Sequence, residues 1–212
     1  MTIIDRRRFL ATGVLIAGGV TAASGLSNGP AWAAGEAEVG DNGLHLQPWF
    51  NQSFLDLAED HADAAGEGKD LAIIFEQRGC PYCREMHRVN LAQPEIVDYL
   101  KANFLVDQLD LWGSREVTDF DGQAMEERAL ARKWGVIYTP TIVFFSREAA
   151  VAGKSGKDAE TVRMPGYFKP FHFISMFEYV HEGHWKDTHF QKYIQAKVEK
   201  RRESGQTTPV WE

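Results

Sequence analysis

Apolar residues recur at helical spacing through residues 49–65, where Phe50, Phe54, Leu57, Ala58 and His61 share a face, and this predicts a first amphipathic helix. Gly66-Glu67-Gly68-Lys69 ends it. Leu71-Ala72-Ile73-Ile74-Phe75 is an unbroken apolar run, the pattern of a buried central strand. Gln77-Arg78-Gly79 turns the chain into a helix with Pro81 in its first turn, where a missing N–H costs nothing. That helix carries Met86, Val89 and Asn90 and stops before Pro94; residues 94–101 make a further short helix. Residues 104–111 alternate as a second strand, 112–123 read as a polar loop, and 124–134 form a helix with Met125, Leu130 and Trp134 inward. Thr139-Pro140-Thr141 opens a third strand, Ile142-Val143-Phe144-Phe145. Residues 147–158 form a polar turn, 161–164 a fourth strand, and 171–180 and 185–200 two helices separated at Gly183. Strands alternating with helices predict an α/β sheet covered on both faces.

The first 33 residues carry a different pattern. Arg6-Arg7-Arg8-Phe9-Leu10 precedes a modest apolar stretch and then Ala31-Trp32-Ala33, the layout of an exported leader with a twin-arginine signature. The expected organisation is a signal peptide over 1–33 cleaved after Ala33, a flexible leader over 34–48, one domain over 49–182 and a helical extension over 183–212. The expected address is the bacterial periplasm. Removing the leader takes away three arginines and one aspartate, so the net charge moves from −7 to −9. A charge of that sign argues against nucleic acid or anionic membrane surfaces as main partners.

The chain has two cysteines, and they form Cys80-Pro81-Tyr82-Cys83. In an oxidising compartment a structural bridge is ordinary. A four-residue ring, however, gains little by constraining the unfolded chain, so the pair reads as reactive. Cys80 falls at a helix N-terminus, where unpaired N–H groups and the helix dipole favour a thiolate. Arg78, Arg84, His87 and Arg88 are near in sequence and add positive potential. Cys80 is therefore the candidate nucleophile and Cys83 the resolving thiol. Glu76, at the end of the first strand, is either a proton relay or an acid facing solvent. Two metal alternatives stand beside this: His181, His184 and His189 with Glu182 and Asp187, or Cys80, Cys83 and His87. Trp112, Trp134, Tyr167, Phe168 and Phe171 are either groove-lining or core aromatics.

The run from Phe75 to Cys83, followed by Val136-Ile137-Tyr138-Thr139-Pro140-Thr141-Ile142-Val143-Phe144, resembles the thioredoxin superfamily over about residues 50–180. Gly79-Cys80-Pro81-Tyr82-Cys83-Arg84-Glu85-Met86-His87, Leu111-Trp112-Gly113 and Met164-Pro165-Gly166-Tyr167 are similar to SoxW-type periplasmic thioredoxins. The resemblance implies a central mixed sheet flanked by helices and a cis Pro140. Thr139, Pro140 and Tyr82 would then contact a substrate strand. It implies a disulfide reductase without a cofactor, acting as a monomer on protein disulfides of sulfur oxidation or cytochrome c maturation. Its electrons would come from a membrane thiol transporter of the SoxV or CcdA kind. A DsbA-like oxidase and a copper or other metal carrier using the same cysteines are the alternatives. Two departures stand out. The buried acid many thioredoxins carry six residues before the first cysteine is Ile74 here, and Pro81-Tyr82 is the glutaredoxin dipeptide. No glutaredoxin-like glycine pair follows the third strand, which argues against glutathione.

Overall fold

The computed structural model describes residues 38–205. The expected signal peptide lies outside the described residues. Helix α1 (Leu57–Gly66) leads to strand β1 (Asp70–Glu76), then α2 (Pro81–Glu85), whose axis runs on through a π-helical turn at Met86–Asn90. Next come α3 (Pro94–Asn103), β2 (Phe104–Asp110), β3 (Glu116–Thr118), β4 (Ala124–Glu126), α4 (Glu127–Trp134) and β5 (Thr141–Phe145). A single turn, α5 (Gly156–Ala159), precedes β6 (Val162–Pro165), α6 (Pro170–His181), a 3-10 turn at His184–Lys186 and α7 (Phe190–Glu203).

The main sheet runs β2-β1-β5-β6, with β1 parallel to β2 and antiparallel to β5, and β6 antiparallel to β5. It is the expected mixed sheet with helices on both faces. Every residue of β1 is buried, which is why its sequence shows no alternation. Leu71, Ile73 and Phe75 face one side with Leu57, Leu130, Trp134 and Phe145. Ala72 and Ile74 face the other, with Met86, Leu100, Phe104, Phe173 and Phe177. Trp134 is a core residue with no exposure, stacked near Phe120 and edge-on to Phe75. Gly156 is a packing requirement of that core, since a Cβ there would lie 2.0 Å from the Trp134 ring.

Three boundaries differ from the pattern reading. The first helix begins at Leu57, not residue 49, because the Asp56 carboxylate caps it by accepting from the Ala58 and Glu59 N–H groups. The apolar residues assigned to one face serve two cores: Phe50 packs on the α2–α6 side of the sheet and Leu57 on the α1–α4 side, while Phe54 is fully exposed. Secondly, the segment expected as a flexible leader is packed over its described part. Val39 bridges to His45, and Leu44 and His45 are buried. Thirdly, the polar loop after β2 folds into the β3–β4 hairpin, so α4 starts three residues later than expected. The chain does break at Gly183, whose φ of +76° is left-handed, before α7, which has no fully buried residue.

Candidate active site

Cys80 is the N-cap of α2, with extended backbone, and Pro81 takes the first helical position. Gly79 ahead of it has φ +71°, a conformation glycine adopts without a Cβ penalty. Cys80 and Cys83 are joined in a disulfide with Cα atoms 5.2 Å apart. Cys80 Sγ accepts the Cys83 N–H at 3.0 Å, one of the donors a helix start leaves unpaired. The same donor is available to a thiolate in the reduced state. Cys80 is 3 % exposed and Cys83 wholly buried, so the N-terminal sulfur is the one nearer solvent.

The loop before β5 closes on that sulfur. The Thr139–Pro140 bond is cis. Thr139 Oγ1 donates to Cys80 Sγ at 3.4 Å, and the Thr139 carbonyl oxygen lies 3.5 Å from it. The Pro140 carbonyl accepts from Gly166 N–H at 2.7 Å, which ties the loop to the Pro165-Gly166 turn. Tyr82, Trp112, Ile137 and Tyr138 are each more than 60 % exposed. These side chains belong to the thiol helix, the loop after β2 and the segment leading to Pro140, and the Trp112 indole N–H donates to Gln77 Oε1 at 2.8 Å. Gly113 is fixed by a close approach: a Cβ there would fall 2.0 Å from Glu127 Oε2. Glu127, buried at the start of α4, accepts from Asp110 N–H at 2.9 Å and from the Arg115 guanidinium. That is a physical reason for a glycine beside Trp112.

Three of the four nearby basic residues turn away from the sulfurs. Arg88 pairs with Glu85, Arg78 reaches the Asp41 and Asn42 carbonyls, and His87 turns inward. Nor do the C-terminal histidines gather: His181 bonds Asp70 at 2.8 Å and His184 bonds Glu182 at 3.0 Å.

Glu76 is wholly buried, so it is not an acid facing solvent. Its Oε1 lies 2.8 Å from His87 Nε2 and accepts from the Gln108 amide at 3.0 Å. The Trp49 indole N–H occupies Gln47 Oε1 at 3.0 Å, which leaves the Gln47 amide to donate to His87 Nδ1 at 3.1 Å. Nδ1 then accepts, and Nε2 carries the proton donated to Glu76. Burial pushes the Glu76 pKa up, but the hydrogen-bonded His87 imidazole and Gln108 amide, with His45 nearby at 3.8 Å and not hydrogen-bonded, outweigh it and hold the acid at about 2. His45 and Gln108 were not legible as partners: they come from residues 31 positions upstream and 32 downstream of Glu76. His87 had a signal, being one helical turn beyond Cys83 on a helix buried against β1.

A second buried acid sits on the opposite face. Burial and the neighbouring Asp60 carboxylate push Asp107 up to about 7, against the lowering effect of Asn51. Asn51 donates to both, at 3.2 Å to Asp60 and 2.8 Å to Asp107.

The family model for a thioredoxin-like domain matches residues 57–181. No curated protein matches the chain. Among solved structures, a thioredoxin-fold protein from Helicobacter pylori is 23 % identical, with 70 % of this chain and 99 % of that one covered and a TM-score of 0.47. A thioredoxin from Thermus thermophilus is 26 % identical over 59 % of this chain and 83 % of its own, with a TM-score of 0.45. The oxidised C-terminal domain of DsbD from Neisseria meningitidis is 20 % identical over 61 % and 99 %, with a TM-score of 0.39. Among the described residues no helix is long and apolar enough to cross a membrane. The disulfide at the start of α2, beside a cis-proline loop, supports a thiol–disulfide redox role. Since the family match spans more than half of the sequence, the chain belongs to the family of thioredoxin-like domains.

Proposed function

We propose that this protein is a periplasmic disulfide reductase. The observation that carries the reading is the position of Cys80, capping α2, accepting the Cys83 N–H and touching Thr139 of the cis-proline loop. In the reduced dithiol, the Cys80 thiolate attacks one sulfur of a substrate disulfide. A mixed disulfide forms and the first substrate thiolate leaves and takes a proton. Cys83, deprotonated, then attacks Cys80 Sγ, restoring the Cys80–Cys83 bond and releasing the second substrate thiolate. Two electrons pass to the substrate. The Thr139 backbone and the exposed Tyr82 are the surfaces that align the substrate strand. Glu76 is the candidate relay for the Cys83 proton; held at about 2, the carboxylate passes that proton on rather than keeping it.

The twin-arginine leader supports the periplasmic address, and the SoxW-like stretches support sulfur oxidation or cytochrome c maturation as the setting. Electrons then enter from a membrane thiol transporter of the SoxV or CcdA kind. The test is reduction of insulin disulfides with dithiothreitol as donor. Cys80→Ser is expected to fall to the uncatalysed rate; a wild-type rate in that variant overturns the proposal. Cys83→Ala traps the mixed disulfide, and the captured proteins identify the substrates. A wild-type disulfide form that oxidises reduced substrate proteins, with a dithiol form that fails to reduce their disulfides, would reverse the direction to that of an oxidase.

A further inference from the structure

On the sheet face that α2 covers, His45, Glu76 and His87 come together from three separate segments: the packed strand-like stretch before α1, the end of β1 and the π-helical turn after α2. All three are buried, at 7 %, 0 % and 2 % exposure. One donor atom from each lies within 4.8 Å of the others. The trio is not a closed hydrogen-bond network. His45 Nδ1 and Glu76 Oε2 are both buried, and neither has a hydrogen-bond partner. They face each other at 3.8 Å, too far for a hydrogen bond. A buried polar atom left unpaired costs about 1–3 kcal/mol, so two of them aimed at one point call for a ligand between them.

The chemistry of the donors selects the ligand. Two imidazoles and one carboxylate suit a borderline divalent ion, and this is a recognised three-ligand zinc set. Ligands held at about 2.0–2.2 Å from one ion are separated from each other by roughly 3–4 Å, and the 2.8 Å and 3.8 Å spacings here are close to that range. The surroundings also fit. Gln47 and Gln108, which bond His87 and Glu76, both line an open cavity of about 130 Å³, so solvent comes within one side chain of the trio. Ligation at His87 Nε2 moves its proton to Nδ1. The Gln47 amide then turns half a revolution to accept it, and Trp49 gives up its bond. We propose that His45, Glu76 and His87 form a zinc-type divalent metal site that uses neither cysteine.

The proposal does not rest on the thiol reaction, and its test is run without turnover. Untagged full-length protein in its disulfide form is titrated with zinc chloride by calorimetry and with cobalt chloride by visible absorption. One ion per chain is expected, with a cobalt spectrum of low-symmetry nitrogen and oxygen ligation. His45→Asn is expected to weaken zinc binding roughly 100-fold or more, and the Cys80→Ser/Cys83→Ser double variant to leave it unchanged. A wild-type chain that binds no zinc overturns the proposal, whatever the variants do. So does binding that survives in His45→Asn, or that is lost with the two cysteines. His45 lies outside the sheet and helices, so its replacement tests the site even where Glu76→Gln or His87→Asn fails to fold.

Discussion

Asp70 and Glu76 stand at opposite ends of β1, six residues apart, and neither has any exposure. Their partners differ. Asp70 accepts the Arg147 backbone N–H at 2.7 Å, the Arg147 guanidinium at 3.0 Å and His181 at 2.8 Å, so both carboxylate oxygens are engaged and a permanent cation is among the donors. Glu76 engages one oxygen with His87 and Gln108 and leaves the other facing an unpaired imidazole nitrogen. A buried carboxylate closed by donors is a structural joint, here stitching β1 to the end of β5 and to α6. One left half-paired, beside the thiol helix, keeps capacity for a proton or an ion. The same strand thus carries a fully paired acid at one end and a half-paired one at the other.

The largest effect that can break this comparison lies at Asp70. Asp70→Asn removes the charge facing Arg147 and His181 and is expected to lower stability by about 2–4 kcal/mol in urea unfolding; the lower end reflects the partial exposure of Arg147. Equal costs at Asp70 and Glu76 would erase the distinction.

A third acid sharpens it. Asp107 is pushed up to about 7, so the folded state holds its proton more tightly than the unfolded chain does. Its stabilising contribution is present below the unfolded value near 3.8 and is lost as pH rises through about 7. Asp107→Asn is therefore expected to flatten the fall in thermal midpoint between pH 4 and 8 and to gain about 1 kcal/mol at pH 8. An unchanged slope would show that the Asp60–Asp107 pair does not share a proton.

Glu76→Gln is expected to cost about 1–2 kcal/mol at pH 7, less than Asp70→Asn: the stabilisation tied to the lowered carboxylate is lost, while glutamine keeps an acceptor for His87. The sign of its pH dependence is opposite to that of Asp107. Glu76 is held at about 2, so it stabilises above its unfolded value near 4.5, and that contribution disappears as pH falls toward 2. The acid limb of unfolding should be shallower in Glu76→Gln than in the parent. Should Glu76 accept the Cys83 proton, the variant also shifts the alkaline limb of insulin reduction, which a purely structural carboxylate would not move.

The sheet and thiol helix were legible because their signals are local. Five apolar residues in a row give β1, Pro81 gives the helix start, and Cys-x-x-Cys gives the pair. The boundaries that moved were set by long-range choices. Phe50 and Leu57 are spaced as one helix face, yet the sheet passes between their cores, and only Asp56 marks the start. His45 was hidden in a glycine-rich stretch that reads as a loose leader. It is buried because Leu44 beside it is, and because Gln108 donates to the His45 carbonyl at 2.8 Å. Composition does not encode a hydrogen bond to a strand that lies 63 residues later.

The closed Cys80–Cys83 bond leaves no free thiol in the chain. A molecule not caught in a mixed disulfide therefore takes up either no alkylating label or two, and the ratio of those two masses is a direct gauge of the redox poise in whatever compartment holds it. A molecule with one label records an event: its other sulfur was joined to something else when the reaction was stopped. With two sulfurs and one bond, the protein serves as its own binary recorder.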